Sequence, residues 1–336
     1  MPRMAVEALL AQSIDRVFER VFATPAVESY ARSGSYLLRL CFARRSLADE
    51  FLPSFLCDEA GSADLQIGFL TSAEANLSHL IPYPPTEYRA MASNDSFAVW
   101  QPGELPMLYL LNRKSNRALI WLSAGAAPDW IASRPCLPIM YAFSVGTPWI
   151  ALHAAAIGQN GRTLLLVGEG RIGKTTAALA CARAGWDYAG DDYVYTNTAN
   201  AKVEPLYCSA RLRADMGPAF ADLVTSPAQI SSSDGEPRYE LRLGRELSLD
   251  RICGGSLAAI LLPRRRGGVL PEFSPARRLD AVAALYTSMT LMQLGWRETM
   301  IRKVATVIGL APVFFVDTGQ DPAAIPGAFA EFLNCL

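Results

Sequence analysis

The chain has 336 residues, of which 51% are hydrophobic and 19% are charged, and its formal net charge is −1. This length accommodates one large domain or two ordinary ones, and the hydrophobic content excludes a disordered chain. A charge so near zero argues against nucleic-acid binding, since no sustained basic excess is present to neutralise phosphates. We interpret the one basic run, 264–266, as a solvated strand end, with a docking patch as the alternative.

Cysteine usage and the N-terminus indicate the cellular compartment. The seven cysteines are scattered and include no C-x-x-C pair, which argues against a zinc site or a disulfide framework and favours a reducing compartment. The N-terminal segment, Met1 to Phe22, carries Glu7 and Asp15 within its apolar pattern, so it does not read as a secretory signal. No uncharged apolar run reaches the roughly 20 residues that span a bilayer. We therefore expect a cytoplasmic protein with no membrane partner.

The first part of the chain, residues 1–135, is predicted to be a helix followed by a β-rich region. Apolar residues from Val6 to Val21 recur at helical spacing, which is typical of a helix that packs on a core or on a second subunit, so a homo-oligomer is left open. Strand-like runs follow at 36–42, 64–70 and 97–100. The runs 107–111 and 118–122 flank turn-forming residues and predict a hairpin.

Residues 136–336 are predicted to form a second domain of α/β class. A strand at 149–157 contains His153, and a turn at 158–161 leads into a strand at 163–167. A helix then precedes another strand at 186–189. The stretch 216–240 is rich in Pro, Ser and Gly and predicts a flexible insertion, whereas 280–309 predicts mostly helix.

A phosphate-binding motif lies between the strand at 163–167 and the helix after it. Residues Gly168 to Thr175 match G-x-x-x-x-G-K-[ST], and strand–loop–helix is the context in which backbone N–H groups and the helix dipole bind phosphate. Lys174 is expected to reach the β- and γ-phosphates and Thr175 to ligate Mg²⁺. We therefore predict ATP and Mg²⁺ as cofactors. The predicted nucleotide-binding residues are Gly168, Glu169, Gly170, Arg171, Ile172, Gly173, Lys174, Thr175 and Thr176.

Two acidic residues narrow the choice among hydrolysis, mechanical work and phosphoryl transfer, which a phosphate-binding loop alone does not separate. Asp191 and Asp192 end the strand after the loop's helix, where a parallel sheet would return the chain beside the loop. One carboxylate there can hold Mg²⁺, and the other can accept the proton of an attacking hydroxyl. The alternative, an acidic pair that only caps a loop, is the better interpretation in the absence of a phosphate loop.

One of the two histidines is predicted to lie close to the acidic pair. His153 precedes the phosphate-loop strand by a short hairpin, which predicts an imidazole close to the acidic pair, where it can orient or tune the base. The alternative is an ordinary core histidine. His79 has no such neighbours and is given no role.

Together these segments resemble a known family. Leu152-His153-Ala154-Ala155-Ala156, the phosphate loop, and Ala184 to Val194 are similar in order and spacing to the catalytic core of HPr kinase/phosphorylase-type serine kinases. The resemblance covers about residues 148–200. Residues 1–150 look more like the β-rich leader of HPr-kinase-related proteins, some of which phosphorylate ribosomally made precursor peptides such as those of lasso peptides. The implied fold is a P-loop kinase core of the HPr kinase C-terminal type behind a β-rich N-terminal region.

The resemblance also implies residue roles. Lys174 would compensate the γ-phosphate charge, Asp192 would take the proton of the substrate serine with His153 assisting, and Asp191 would support the metal or Lys174. Glu240, in Tyr239-Glu240-Leu241-Arg242, loosely matches a Glu-x-Arg segment whose glutamate binds metal. A charged strand edge explains Glu240 and Arg242 equally well. The implied catalytic set is His153, Lys174, Asp191 and Asp192, and the implied metal set is Thr175, Asp191 and Glu240.

Two residues depart from the family pattern. Arg171 stands where glycine is usual and is strained if a positive φ is needed there; the alternative is that its guanidinium clamps phosphate. Glu169 adds negative charge to an anion-binding loop. We expect a Mg²⁺-dependent ATP:serine or hydroxyl phosphotransferase acting on a peptide or protein. The alternatives are a non-catalytic nucleotide-binding or peptide-docking module, favoured by the altered loop, and a kinase of a small metabolite.

Overall fold

The computed structural model describes residues 3–77, 88–125, 129–224, 229–230, 236–246, 251–288 and 294–336. These divide into two compact units. The first runs through Thr147 and includes 294–297, and the second takes the rest, from Pro148 onward. The division thus falls twelve residues beyond the limit at 135 expected from sequence, because the helix Leu137–Ser144 packs on the first unit's strand Met107–Asn112.

The first unit is α/β, with helices beside one large sheet. Its helices are α1 (Arg3–Val21), α2 (Arg45–Phe51), α3 (Asp129–Ala132) and α4 (Leu137–Ser144). Its strands are β1 (Val27–Ser33), β2 (Tyr36–Phe42), β3 (Leu56–Asp58), β4 (Leu65–Thr71), β5 (Arg89–Ala92), β6 (Ser96–Gln101), β7 (Met107–Asn112) and β8 (Arg117–Leu122). A 3₁₀ turn at Leu52–Ser54 follows α2.

The sheet of the first unit has the order β3-β1-β2-β4-β8-β7-β6-β5. The predicted hairpin is confirmed as β7 and β8, which pair antiparallel with Leu111 opposite Ala118. The N-terminal helix is confirmed as well, since Ile14 and Phe18 of α1 are buried in a cluster with Leu110 and Trp121 of the sheet. Burial of this apolar stripe fixes α1 on one face of the sheet.

The second unit is also α/β. Its helices are α5 (Lys174–Arg183), α6 (Leu243–Glu246), α7 (Arg278–Ser288), α8 (Arg297–Gly309) and α9 (Ile325–Cys335), with 3₁₀ segments at Ala214–Phe220 and Pro322–Ala324. Its strands are β9 (Trp149–Leu152), β10 (Ala154–Gln159), β11 (Arg162–Val167), β12 (Asp187–Gly190), β13 (Val194–Asn197), β14 (Lys202–Pro205), β15 (Ser209–Arg213), β16 (Gln229–Ile230), β17 (Pro237–Arg242), β18 (Gly255–Arg264), β19 (Glu272–Pro275) and β20 (Val313–Asp317).

The main sheet of this unit has the order β12-β10-β11-β18-β14-β13-β9, with β20 beside β18 and β19 beside β20. The pairs β11–β18 and β18–β20 are parallel. The strand after the phosphate-loop helix, β12, does not lie next to β11 as a simple parallel return would require. Antiparallel β10 separates them, so β11 and β12 still run in the same direction and end at the same edge of the sheet.

The smaller sheet, in the order β15-β17-β16, corrects one sequence prediction. The stretch 216–240 was expected to be a flexible insertion, yet its first part is a 3₁₀ segment that buries Phe220, and its last part forms most of β17, paired with β15. Residues 225–228 and 231–235 lie outside the described residues. The expected helix at 280–309 appears as α7 and α8, and 289–293 lie outside the described residues.

Within the described ranges, the search for a helix of sufficient length and apolar character to traverse a lipid bilayer finds none.

Candidate active site

The glycine loop at Gly168–Thr175 joins the end of β11 to the start of α5. Lys174 is buried, and its Nζ donates hydrogen bonds to the carbonyl oxygens of Gly168, at 2.8 Å, and Glu169, at 3.0 Å. Gly173 caps α5 with φ of +109°, a conformation that glycine adopts without steric cost. The loop therefore presents the amino end of α5, with its partial positive charge, to the space in front of it.

Two strand registers bring His153 to this loop. Ala154 lies opposite Val167 in the β10–β11 pair, so His153 falls beside Gly168, where the loop begins. Leu152 lies opposite Val194 in the β9–β13 pair, which places His153 across from Tyr193. His153 therefore lies at the break between β9, which pairs with β13, and β10, which pairs with β11 and β12.

Asp191 and Asp192 lie at the matching break in the facing part of the chain, between β12 and β13. Gly190 lies opposite Ala156, and the chain then breaks at Asp191-Asp192-Tyr193 before it pairs again as β13. His153 Nε2 and Asp192 Oδ1 are 3.1 Å apart. The imidazole also stacks on Tyr193, with ring centroids 5.3 Å apart, and its buried Nδ1 has no hydrogen-bond partner among the described residues.

Asp191 is buried against the loop's threonine. The Thr175 hydroxyl lies 3.0 and 2.9 Å from the two oxygens of the Asp191 carboxyl, and the backbone N–H of Arg211 donates to Oδ2 at 3.5 Å. Burial, and secondly the nearby charge of Asp192, raise the pKa of Asp191 to about 6, although Thr175 and Lys174 oppose the change. Burial likewise lowers the pKa of Lys174, against the attraction of Asp191 and Asp192. The site therefore holds ionisable groups at a desolvation cost, which is typical of functional sites.

The two loop residues that depart from the family pattern have distinct environments. Arg171 has φ of +70°, the conformation in which a non-glycine residue is strained, and its guanidinium pairs with Glu236 at 2.8 Å. Glu169 has an exposed side chain and contributes its carbonyl oxygen to Lys174.

Glu240 lies apart from this cluster. Its carboxylate pairs with Arg211 at 2.9 Å, both side chains being almost buried, and its second oxygen has no hydrogen-bond partner within the described residues. Neither Glu240 nor Arg242 lines the cavity in front of the loop. Arg211 was missed by sequence reasoning, although the alternation Arg211-Leu212-Arg213 in a strand places two arginines on one face.

The cavity in front of the loop opens to solvent, and its empty space of about 710 Å³ includes part of that open solvent. Of the predicted nucleotide-binding residues, Gly168, Glu169 and Ile172 do not line it and the others do. His153 lines it as well. The acidic lining residues are Asp191, Asp192 and Asp215. The basic lining residues are Arg171, Lys174, Arg211, Arg213, Arg238 and Arg265.

No protein-family model matches the chain, and no curated protein is significantly similar to it. In the described part of the chain, no group of three or more His, Cys, Asp or Glu side chains is arranged to hold a metal ion.

Proposed function

We propose that the second unit is a P-loop kinase core of the HPr kinase C-terminal type and that the protein transfers the γ-phosphoryl group of ATP to a serine hydroxyl of a peptide or protein. The observation that carries the proposal is the convergence of His153, Lys174, Thr175, Asp191 and Asp192 on one cavity. Each is a residue type that phosphoryl transfer uses. The break after β9, the start of α5 and the break after β12 supply them.

Nucleotide binding is supported by the amino end of α5 and by the basic lining of the cavity. In this proposal the loop amides and Lys174 would receive the phosphates, and Lys174 would exchange its two carbonyl contacts for phosphate oxygens. Such donors are held in place before the reaction, so stabilising the spreading charge of the transition state costs little reorganisation.

The residues at the loop fit Mg²⁺. A hydroxyl and a buried carboxylate, those of Thr175 and Asp191, already lie within 3.0 Å of each other, and hard oxygen ligands of this kind suit an ion that is otherwise held by water and substrate phosphates. When bound, the ion would neutralise charge on the β- and γ-phosphates. The unpartnered oxygen of Glu240 is a further hard donor, though it lies outside the cavity lining.

In the transfer step, Asp192 accepts the proton of the serine hydroxyl as its oxygen attacks the γ-phosphorus in line with the departing oxygen of ADP. The new bond is serine O–P, and the broken bond joins the γ-phosphorus to the β–γ bridging oxygen. His153, at 3.1 Å from Asp192, holds that carboxylate in place.

The test uses the purified full chain with Mg²⁺ and ATP labelled in the γ-phosphate. Serine-containing peptides serve as acceptors, including any short precursor encoded next to the gene. We expect Asp192→Asn to abolish transfer and to leave the affinity for ATP within about twofold, because Asp192 contacts the proton rather than the phosphates. Lys174→Ala should lose ATP binding itself.

The matched control is Asp222→Asn, which alters an exposed carboxylate paired with Arg183 at 3.2 Å and should leave transfer unchanged. Wild-type rates in Asp192→Asn would show that another group is the base. ATP binding without turnover under all conditions would favour the nucleotide-binding module, for which the strained Arg171 is the supporting observation. Transfer to small hydroxylated metabolites but to no peptide would favour the metabolite kinase.

A further inference from the structure

Two arginines face each other across the small sheet beside the proposed active site. In the antiparallel register of β15 and β17, Arg213 lies directly opposite Arg238, and both line the cavity. The neighbouring pair on the same face is Arg211 and Glu240, which carry opposite charges. The strand pair therefore ends with two like charges at the cavity.

Like charges directly opposite each other destabilise a strand pair. Part of this cost is offset by acidic partners of Arg213, which donates to both Asp215 oxygens, at 2.9 and 2.8 Å, and lies 3.7 Å from Glu236. The hydrogen bonds from Arg213 also lower the pKa of Asp215. Glu236 also pairs with Arg171, so its negative charge is divided between the two arginines. A third cation, the exposed Arg265 just after β18, lines the same cavity.

The pair lies on β15 and β17 rather than on the phosphate loop, although Glu236 links Arg213 to Arg171 of that loop. The backbone N–H of Arg211 reaches Asp191 at 3.5 Å, and Arg213 lies two residues, or about 7 Å, further along the strand. The nucleotide phosphates have the loop amides and Lys174 as partners. Arg213 is thus about one side-chain length from Asp191, the neighbour in sequence of the proposed base Asp192.

Guanidinium groups bind carboxylate and phosphate through paired, charge-assisted hydrogen bonds. We propose that Arg213 and Arg238, together with Arg265, form an oxyanion subsite for the acceptor, so that the favoured acceptor carries a carboxylate or phosphate group close to its reactive serine. This inference rests on the proposed function for the identity of the ligand, but the existence of the subsite does not depend on transfer.

The first experiment measures binding alone. The protein is saturated with Mg²⁺ and a non-hydrolysable ATP analogue, which fills the phosphate loop, and is then titrated calorimetrically with inorganic phosphate or, separately, with succinate. We expect Arg238→Gln to weaken oxyanion binding about tenfold or more while the affinity for the analogue stays within about twofold. Arg265→Gln, at an exposed position, should weaken binding in the same direction. The matched control is Arg302→Gln, an exposed arginine of α8. Comparing phosphate with succinate shows which oxyanion the subsite prefers.

The second experiment measures transfer to two peptides that differ only in glutamate or glutamine beside the serine. We expect a lower KM for the glutamate peptide with the wild type and loss of this preference in Arg238→Gln, with kcat little changed. Equal oxyanion affinity in the wild type and Arg238→Gln would overturn the proposal. An equal loss of affinity for the nucleotide analogue would also overturn it, by assigning the arginines to the nucleotide. Weakened oxyanion binding without transfer to any peptide would support the subsite and count against the kinase.

Discussion

The imidazole of His153 and the carboxylate of Asp192 lie 3.1 Å apart because two antiparallel chains break at the same place. One chain, β9 to β10, shifts at His153, and the facing chain, β12 to β13, shifts at Asp191-Asp192-Tyr193. Each break moves the chain to a new neighbour in the sheet and leaves its side chains at the edge of the cavity. The contact is thus a consequence of sheet topology.

The first prediction concerns His153. We expect His153→Ala to lower kcat roughly 10- to 100-fold, because the imidazole orients the proposed base, and to leave nucleotide affinity nearly unchanged. His153→Gln, whose amide can still donate to Asp192, should recover part of the rate. Steady-state kinetics together with titration of a non-hydrolysable ATP analogue separates the two effects. The matched control is His79→Ala, and an equal loss of rate in that variant would contradict a specific role for His153.

The second prediction concerns the pH dependence of stability through Asp191, in the absence of nucleotide and metal. Its pKa is about 6 in the folded protein, against an ordinary value of 3.8, so between these values the folded state binds more protons than the unfolded chain. The contribution of Asp191 to the free energy of unfolding should therefore fall as pH rises from about 4 to 6 and become level above that range.

Asp191→Asn removes this contribution, since the amide does not ionise. Relative to the wild type, the variant should gain stability as pH rises from 4 to 7, by a few kcal/mol at most. Urea unfolding at both pH values with a chelator present measures the change. A stability difference that is the same at pH 4 and pH 7 would mean that the carboxyl is not held protonated by its surroundings.

Sequence reasoning anticipated those parts of the site that depend on local pattern. The strand–loop–helix at Gly168–Thr175 and the hairpin that precedes it follow from glycine spacing and apolar runs, and both are present. The separation of β11 from β12 by β10 could not be read from the chain, because strand order depends on which edges remain free to pair. The pairing of Glu240 with Arg211 could not be predicted from the sequence either, because it depends on the register of β15 and β17.

The third prediction concerns Gly190, which ends β12 just before the acidic pair. Its φ is +131°, and a Cβ atom there would lie 2.8 Å from Val194 Cγ1, so an alanine is both strained and crowded. We expect Gly190→Ala to lower the free energy of unfolding by about 2–4 kcal/mol and to weaken transfer, because Asp191 and Asp192 must shift. The matched control is Gly327→Ala in α9, where nothing lies within 4 Å of the added Cβ and stability should be unchanged or raised by up to about 1 kcal/mol. Thermal or urea unfolding measures both variants. Similar losses of stability in the two would mean that strain and crowding at Gly190 are not the cause.

The fourth prediction isolates strain in the phosphate loop. Arg171→Gly and Arg171→Ala both remove the partly exposed ion pair with Glu236, but only the alanine keeps a side chain at φ of +70°. The glycine variant should therefore be more stable than the alanine variant by about 0.5–1 kcal/mol, after allowance for the greater freedom of glycine in the unfolded chain. Urea unfolding of the two variants side by side gives the difference directly. Greater stability of the alanine variant would show that the loop relaxes to another conformation.

The last prediction concerns the Arg211–Glu240 pair, which lies between the acidic residues and the arginine pair at the cavity. Only 8% of the Arg211 side chain and 11% of the Glu240 side chain are exposed, so removal of one partner leaves a poorly solvated charge. We expect Glu240→Gln alone to cost about 2–4 kcal/mol of stability and Arg211→Met alone a similar amount. The double variant should cost clearly less than the two added together, because it leaves neither charge behind.

Urea unfolding of the four proteins in this cycle gives the coupling energy, which we expect to exceed about 1.5 kcal/mol. The matched cycle uses the Arg302–Glu298 pair of α8, where 70% and 85% of the side chains are exposed and the coupling should be about 0.5 kcal/mol or less. Additive losses at Arg211 and Glu240 would mean that water or another group already compensates each charge. In that case the pair would not act as a coupled unit between β15 and β17.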